Sequence, residues 1–245
     1  MTAPTSTRLA RKRIAVVLAA GSGRRMGCET PKQFLPLGGH TVLEHAVEAF
    51  TNHPDIDEVV IVGPAEHLAN IRRMAERNAW LKVTHIIAGG HERHESTLAA
   101  LRLYEDTEAD LLFHDAARPL VGADVITRVV EALLEHEVVA TALPVVDTII
   151  ESNDGHVTAY PDRNALRRMQ TPQGFRSSTL RRAYALALAD PSFRTTDDCG
   201  VVFRYLPDTP IHLVDGDERN MKLTYPEDIL LLERFLQARP EGQDG

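Results

Sequence analysis

Cysteine is nearly missing from this 245-residue chain, which has two, Cys28 and Cys199. Two thiols are too few for a disulfide framework or a structural zinc site, and their scarcity fits a reducing cytosol. Long apolar runs are absent as well. None approaches the roughly 20 residues that span a bilayer, so no membrane partner is expected. The stretch after the basic MTAPTSTRLARKR is only IAVVLAA, patterned as a strand, so no signal peptide is expected and the location read is cytoplasmic. An excess of basic charge is lacking too. The net charge is −8, against the extended basic surface that general nucleic-acid binding needs. A local cluster of cations still sets the potential of one cleft, so anionic small substrates stay open.

Two familiar phosphate loops are also missing. The run LAAGSGRRMG (18–27) follows an apolar strand, but the dinucleotide fingerprint needs a third glycine where Met26 stands. The P-loop pattern fails because Met26 lies five residues after Gly21 and no Lys-Ser/Thr follows. A glycine loop of a third kind remains, and its two arginines suit phosphate.

Short apolar runs alternate with amphipathic helical stretches along most of the chain. Strands are expected at 14–20, 58–63, 81–89, 109–115 and 138–145, with helices at 41–50, 66–78, 95–106 and 123–137. Near-continuous apolar strands between helices imply an α/β fold: a Rossmann-like, mostly parallel sheet with helices on both faces. Ligands bind such sheets at the carboxyl ends of the strands. Both the glycine loop and HDAARP (114–119) belong there. The alternation breaks at 146–163, where two β-branched runs flank Ser-Asn-Asp-Gly. Asp154-Gly155 is a strong hairpin signal, and a two-stranded arm is marginal alone, so the arm is expected to pair with a second subunit in a homodimer. A helix at 177–189, a helical turn at 195–206, a strand at 211–216 and a helix at 226–238 complete the reading. One domain over 13–238 is expected, between polar tails at 1–12 and 239–245.

Several residues suit polyphosphate chemistry. Gly21, Ser22 and Gly23 let backbone N–H groups approach phosphate oxygens, and Arg24, Arg25 and Lys32 add charge. Asp115 ends an apolar strand, where a carboxylate suits either a divalent metal carrying polyphosphate or a cap. In GGHERHES (89–96), His91 and His94 lack a matching third zinc ligand. The better reading there is a base-recognition turn, with Ser96 as hydrogen-bond partner or N-cap. No His–Asp arrangement surrounds either cysteine, so no thiol nucleophile is expected.

LAAGSGRRMGCETPKQFLPL, HDAARP, DTI (147–149), Asp162-Arg163, TPQGF (171–175), TDD (196–198) and NMKLTYPEDI (220–229) occur in one order. Together they resemble the 2-C-methyl-D-erythritol 4-phosphate cytidylyltransferase family over about residues 13–238. The resemblance implies a magnesium-dependent transfer of CMP from CTP to 2-C-methyl-D-erythritol 4-phosphate, giving CDP-methylerythritol and pyrophosphate. It implies that Ala19, Ala20, Gly21, Ser22, Gly23 and Arg24 wrap the triphosphate and that Gly90 and Ser96 read the cytosine. Arg25 and Lys32 would stabilise the transition state, and Asp115 would sit at the magnesium. Arg118, Thr148, Arg163, Thr196 and Lys222 would surround the acceptor, with Arg163 and Lys222 counted as catalytic beside Arg25 and Lys32. The related ribitol-5-phosphate cytidylyltransferases share the glycine loop, PKQF, the DTI arm and TPQ. Ribitol phosphate therefore stays an alternative acceptor, and a nucleotide-binding regulator without catalysis is an alternative of another class.

Overall fold

The computed structural model describes residues 11–21 and 30–238. Ser22, Gly23, Arg24, Arg25 and Cys28 lie outside the described residues, as do 1–10 and 239–245. In chain order the elements are β1 (Lys12–Leu18), β2 (Pro36–Leu37), β3 (His40–Thr41), α1 (Val42–Thr51), β4 (Glu58–Gly63), α2 (Leu68–Arg77), β5 (Val83–Ala88), α3 (Arg93–Arg102) and β6 (Ala109–Asp115). There follow α4 (Ala123–Glu135), β7 (Val138–Pro144), β8 (Glu151–Asn153), β9 (His156–Ala159), β10 (Arg167–Arg176), α5 (Ser177–Leu188), α6 (Asp198–Tyr205), β11 (His212–Asp215) and α7 (Asp228–Gln237).

Seven strands form one sheet in the order β11-β7-β10-β6-β1-β4-β5. Strands β1, β4, β5 and β6 pair in parallel, as do β7 and β11, while β10 runs antiparallel to both its neighbours. The two faces follow directly from residue alternation. Ala15 and Val17 of β1 point into a cluster with Val47, Phe50, Ile126 and Val129, under α1 and α4. Ile14 and Val16 point the other way, onto Leu101, Phe175, Leu180 and Tyr184 under α3 and α5. Burial of each such large side chain stabilises the fold by about 1.5–3 kcal/mol. The sheet is therefore a rigid floor for loops at its edge.

After β1 the chain moves to β4 and β5 on one side, then crosses to β6 on the other side of β1. The loops after β1 and β6 diverge at this switch in strand order and open a crevice. The small ribbon β2–β3 continues from the first loop and packs with α7 through Leu37, Val42, Leu223 and Leu232.

The structure departs from the sequence reading in three places. Strand β10, at the middle of the sheet, was not expected, and neither was the β2–β3 ribbon. The fold also begins earlier than residue 13. Lys12 is already in β1, and Arg11 donates from Nε to Asp110 at 2.8 Å. Within 146–163, β8 and β9 pair antiparallel as a short ribbon separate from the main sheet. Its turn residues Asp154 and Gly155 have φ of +48° and +76°, the signs a type I′ turn requires.

Candidate active site

A pocket of about 170 Å³ lies at the carboxyl ends of β1, β5 and β6. Leu18 through Gly21 form one wall, Gly90 to Arg93 and Ser96 a second, and Asp115 to Ala117 the floor, with Lys32 and Lys222 at the rim. The walls are tied to one another by backbone bonds. Ala19 N–H donates to Val62 O at 2.7 Å, and Ala116 N–H donates to Leu18 O at 3.0 Å. The buried Gln33 donates from Nε2 to Ala19 O at 2.8 Å. That bond pins the 3₁₀ turn Lys32–Phe34 to the end of β1 and so places Lys32. Lys32 Nζ donates to Leu223 O at 2.9 Å, and Leu223 N–H donates to Ala117 O at 2.8 Å.

The segment after β11 is stitched to β10 by polar contacts. Asn220 donates from Nδ2 to Thr171 O at 2.7 Å, and Gln170 donates from Nε2 to Asp217 O at 2.9 Å. Arg118 donates from Nη1 to Asn220 O at 2.8 Å and from Nη2 to Met169 O at 3.3 Å. These oxygens engage two of its nitrogens without neutralising it, while its buried Nε has no hydrogen-bond partner among the described residues. Burial lowers the pKa of Arg118, and the charge of Asp115 offsets this only in part. An anion is the natural complement of such a group.

The charged centre is Asp115. Lys222 Nζ donates to its Oδ2 at 2.7 Å and Arg93 Nε to its Oδ1 at 3.3 Å. Burial alone would raise the carboxyl pKa, but Arg93 and Lys222 outweigh it and hold Asp115 ionised, far below the usual carboxylate range. Arg93 is shared, since its Nη1 also donates to the buried Asp198 at 2.5 Å. Burial opposes its charge, and the two carboxylates more than restore it.

Behind Asp115, the fully buried His114 has one tautomer dictated by its partners. Its Nε2 lies 2.9 Å from Arg118 O, a pure acceptor, so Nε2 carries the hydrogen. Nδ1 then accepts from the Thr171 hydroxyl at 2.9 Å, while Thr171 Oγ1 accepts from Asp115 N–H at 3.1 Å. Burial lowers the His114 pKa to about 4 from 6.5. Because the folded value is the lower one, the unfolded chain binds this proton more readily between those values. Stability from His114 is therefore full above about pH 6.5 and is lost as pH falls towards 4. We expect about 2 kcal/mol of the stability lost between pH 7 and pH 5 to belong to this residue. Urea midpoints at the two pH values, compared with those of His114→Gln, check it. An equal pH-dependent loss in the variant would contradict the assignment.

Of the residues expected from sequence, the pocket brings together Ala19, Ala20, Gly21, Lys32, Gly90, Ser96, Asp115 and Lys222. Arg118 stands beside them, its N–H bonded to Asp115 O at 2.9 Å. Thr148, Arg163 and Thr196 are exposed and do not line the pocket of their own chain among the described residues. Ser96 needs correcting as a cap. Helix α3 starts at Arg93 with Glu92 as N-cap in a capping box with Glu95, so Ser96 lies inside the first turns and is buried. It instead accepts from Gly90 N–H at 3.3 Å. A Cβ on Gly90 would come within 2.4 Å of the Glu95 side chain, so only glycine fits this wall.

His94 pairs with Glu92 at 3.2 Å and meets the Phe193 ring edge-on. No group of three or more His, Cys, Asp or Glu suited to a metal occurs among the described residues. Cys199 is buried and its thiol is pushed up by burial, which suits packing rather than nucleophilic attack. Arg93 is the residue that sequence reasoning missed. Its signal in the sequence is position, at the first turn of a helix opened by a glycine turn.

An α/β sheet with cations gathered around one carboxylate at its switch point defines a nucleotide- or polyphosphate-handling α/β enzyme as the class. Comparison with known proteins narrows this further. Residues 13–238 match the family model described as 2-C-methyl-D-erythritol 4-phosphate cytidylyltransferase, and the chain belongs to that nucleotidyltransferase family. It is 48% identical over 231 residues to the 2-C-methyl-D-erythritol 4-phosphate cytidylyltransferase of Thermobifida fusca, spanning 91% of this chain and 93% of the relative. It is 36% identical over 232 residues to a bifunctional ribulose 5-phosphate reductase/CDP-ribitol pyrophosphorylase of Haemophilus influenzae, spanning 93% of this chain and 49% of that protein. Among solved structures, the 4-diphosphocytidyl-2C-methyl-D-erythritol synthase of Anaerococcus prevotii matches with a TM-score of 0.81 at 27% identity, over 93% of this chain and 99% of that one. A second synthase of the same description matches with a TM-score of 0.75 at 31% identity, again over 93% and 99%.

Proposed function

We propose that this chain transfers CMP from CTP to 2-C-methyl-D-erythritol 4-phosphate, releasing pyrophosphate. The observation that carries the reading is the pairing of Arg93 and Lys222 with Asp115 in a pocket that Lys32 also lines, at the switch point of a sheet whose family relatives are cytidylyltransferases. An oxygen of the acceptor's phosphate attacks the α-phosphorus of CTP. The bond from that phosphorus to the bridging oxygen breaks, and pyrophosphate leaves. A phosphate oxygen is already ionised at neutral pH, so the reaction requires no serine, cysteine or general base. The protein's work is to bring two anions together and to neutralise charge that develops at the α-phosphate.

In this reading Lys32 and Arg25 face the α-phosphate, Ala19 to Arg24 wrap the triphosphate, and Gly90 and Ser96 meet the cytosine. Lys222, Arg118 and Thr196 take the acceptor's phosphate. Thr148 and Arg163 come from the ribbon of a second copy in a homodimer, which works in the cytoplasm. Magnesium fits as a passenger of the nucleotide. Among the described residues each Asp115 oxygen accepts one side-chain hydrogen bond, leaving further lone-pair capacity. One carboxylate beside phosphate oxygens is a usual magnesium environment. When bound, the ion supplies positive charge across the phosphates, and Asp115 would hold it directly or through water.

The likeness to a CDP-ribitol pyrophosphorylase keeps ribitol 5-phosphate as the second acceptor to test. A regulator that only bound nucleotide would have no need of Lys32 and Arg25 at the α-phosphate. Pyrophosphate release from CTP, measured against a panel of polyol phosphates, tests the whole reading. We expect methylerythritol phosphate to be preferred, activity to vanish in excess chelator, and magnesium to restore it. Preference for ribitol phosphate would replace the acceptor, and release in excess chelator would remove the metal. Binding of CTP without turnover on any acceptor would favour the regulator.

A further inference from the structure

The charges beneath the pocket form a line of alternating sign that leaves the site on one side. Asp198 accepts from Arg93, Arg93 donates to Asp115, and Asp115 accepts from Lys222. Three elements far apart in sequence supply the line: Arg93 opens α3, Asp115 ends β6 and Asp198 opens α6. Lys222 is a weak anchor for Asp115, because its long side chain is 38% exposed and its ammonium is a point charge. Arg93 is the stiffer partner, since a planar guanidinium fixes direction as well as charge. Its own direction is set from behind. Asp198 has a fully buried side chain, and it accepts from Arg93 at 2.5 Å and from the Tyr184 hydroxyl at 2.6 Å. The N-cap bond from Gly200 N–H to Asp197 Oδ1 at 2.8 Å holds the first turn of α6 in place, and with it Asp198.

We propose that Arg93 and Asp198 are positioning residues for Asp115: Asp198 holds the guanidinium in the one orientation from which it fixes the pocket carboxylate for the incoming nucleotide. Asp198 is fully buried and does not line the pocket among the described residues. Without it, Arg93 has a single carboxylate left and turns fully onto Asp115, where it competes for the oxygens that face the nucleotide. The proposal rests on the reading of this pocket as the CTP site.

A buried pair kept only for folding would give a different signature, and a double-mutant cycle on nucleotide affinity separates the two. CTP binding is measured by calorimetry in magnesium buffer for the full chain, Asp198→Asn, Asp115→Asn and the double variant. We expect Asp198→Asn to weaken binding about tenfold beside Asp115 and by less than twofold in the Asp115→Asn background, the non-additivity of residues acting through one contact. If Asp198→Asn does not fold, Arg93→Lys takes its place in the cycle, since a lysine keeps the charge but does not bridge two carboxylates. Equal losses in both backgrounds, or no loss in either, would overturn the proposal while leaving the CTP site intact. Absence of CTP binding by the unaltered protein would instead sink the reading of the pocket, and the proposal with it.

Discussion

Replacing Lys32 with alanine is expected to lower kcat on the order of 10²–10³ while the protein stays folded, the usual effect of removing one preorganised charge from a developing anion. The structural part of the argument is local. Lys32 stands on a short 3₁₀ turn whose attachment to β1 runs through Gln33, not through the lysine. Its bond from Nζ to Leu223 O ties the turn to the segment after β11, which Leu223 N–H separately ties to Ala117 O. Truncation removes a cation from the pocket rim, and the bonds from Gln33 to Ala19 and from Leu223 to Ala117 do not depend on it. The split between kinetic constants is informative as well. A charge that acts only in the transition state lowers kcat and kcat/KM together, whereas one that merely holds the triphosphate raises KM alone. Steady-state kinetics of Lys32→Ala, with a thermal melt to confirm folding, distinguish these outcomes. Turnover equal to the unaltered protein would remove Lys32 from the mechanism.

Most of the sheet was legible because its strands are buried on both faces and so read as continuous apolar runs. IAVV, EVVIVG and LLFHD carry that pattern openly, and the helices between them carry theirs. Strand β10 does not. Its sequence, RRMQTPQGFR, has arginines, glutamines, a proline and a glycine where a central strand is expected to be apolar. The proline, the glycine and the glutamines each have a local reason. Pro172 falls where the register with β7 shifts, between Met169 and Gln173, so its missing N–H interrupts no regular ladder. Gly174 lies directly under α4, where a Cβ would come within 2.8 Å of Val129 and 2.9 Å of Leu133. Gln170 and Gln173 look inward to polar partners, the loop at Asp217 and the N-cap Asp197. These residues hold the walls of the site, and tertiary partners that no periodicity announces override local pattern. Arg93 was hidden for the same reason: both of its partners are distant in the chain, and only the fold shows a guanidinium between two carboxylates. The pocket residues that were legible are those whose backbone carries the work, because glycines and the ends of apolar strands announce themselves in sequence.

Mixing two inactive proteins, Arg163→Ala and Lys32→Ala, is expected to recover activity if the ribbon serves a neighbouring subunit as proposed. The ribbon has few partners within its own chain. Val157 is 50% exposed and Tyr160 72% exposed, and among the described residues β8 pairs with β9 alone. A two-stranded hairpin of this kind is marginal in water, so cover from a second copy would stabilise it. Arg163 does not line its own chain's pocket. It sits at the base of the ribbon, where Nη1 donates to Val146 O at 3.0 Å. Lys32, in contrast, lines the pocket of the chain that carries it. Each complete site would then combine Lys32 from one chain with Arg163 from the other. In a mixed dimer one site holds both native residues and the other holds neither. Equal amounts of the two variants place about half the dimers in the mixed state after random exchange, with one good site in each. Recovered activity should thus approach roughly a quarter of that of the unaltered protein if the sites are independent. Subunit exchange is confirmed separately with differently tagged chains, so that a negative result is interpretable. Exchange without recovery would mean that each site is completed within one chain, and that the exposed ribbon serves some other contact.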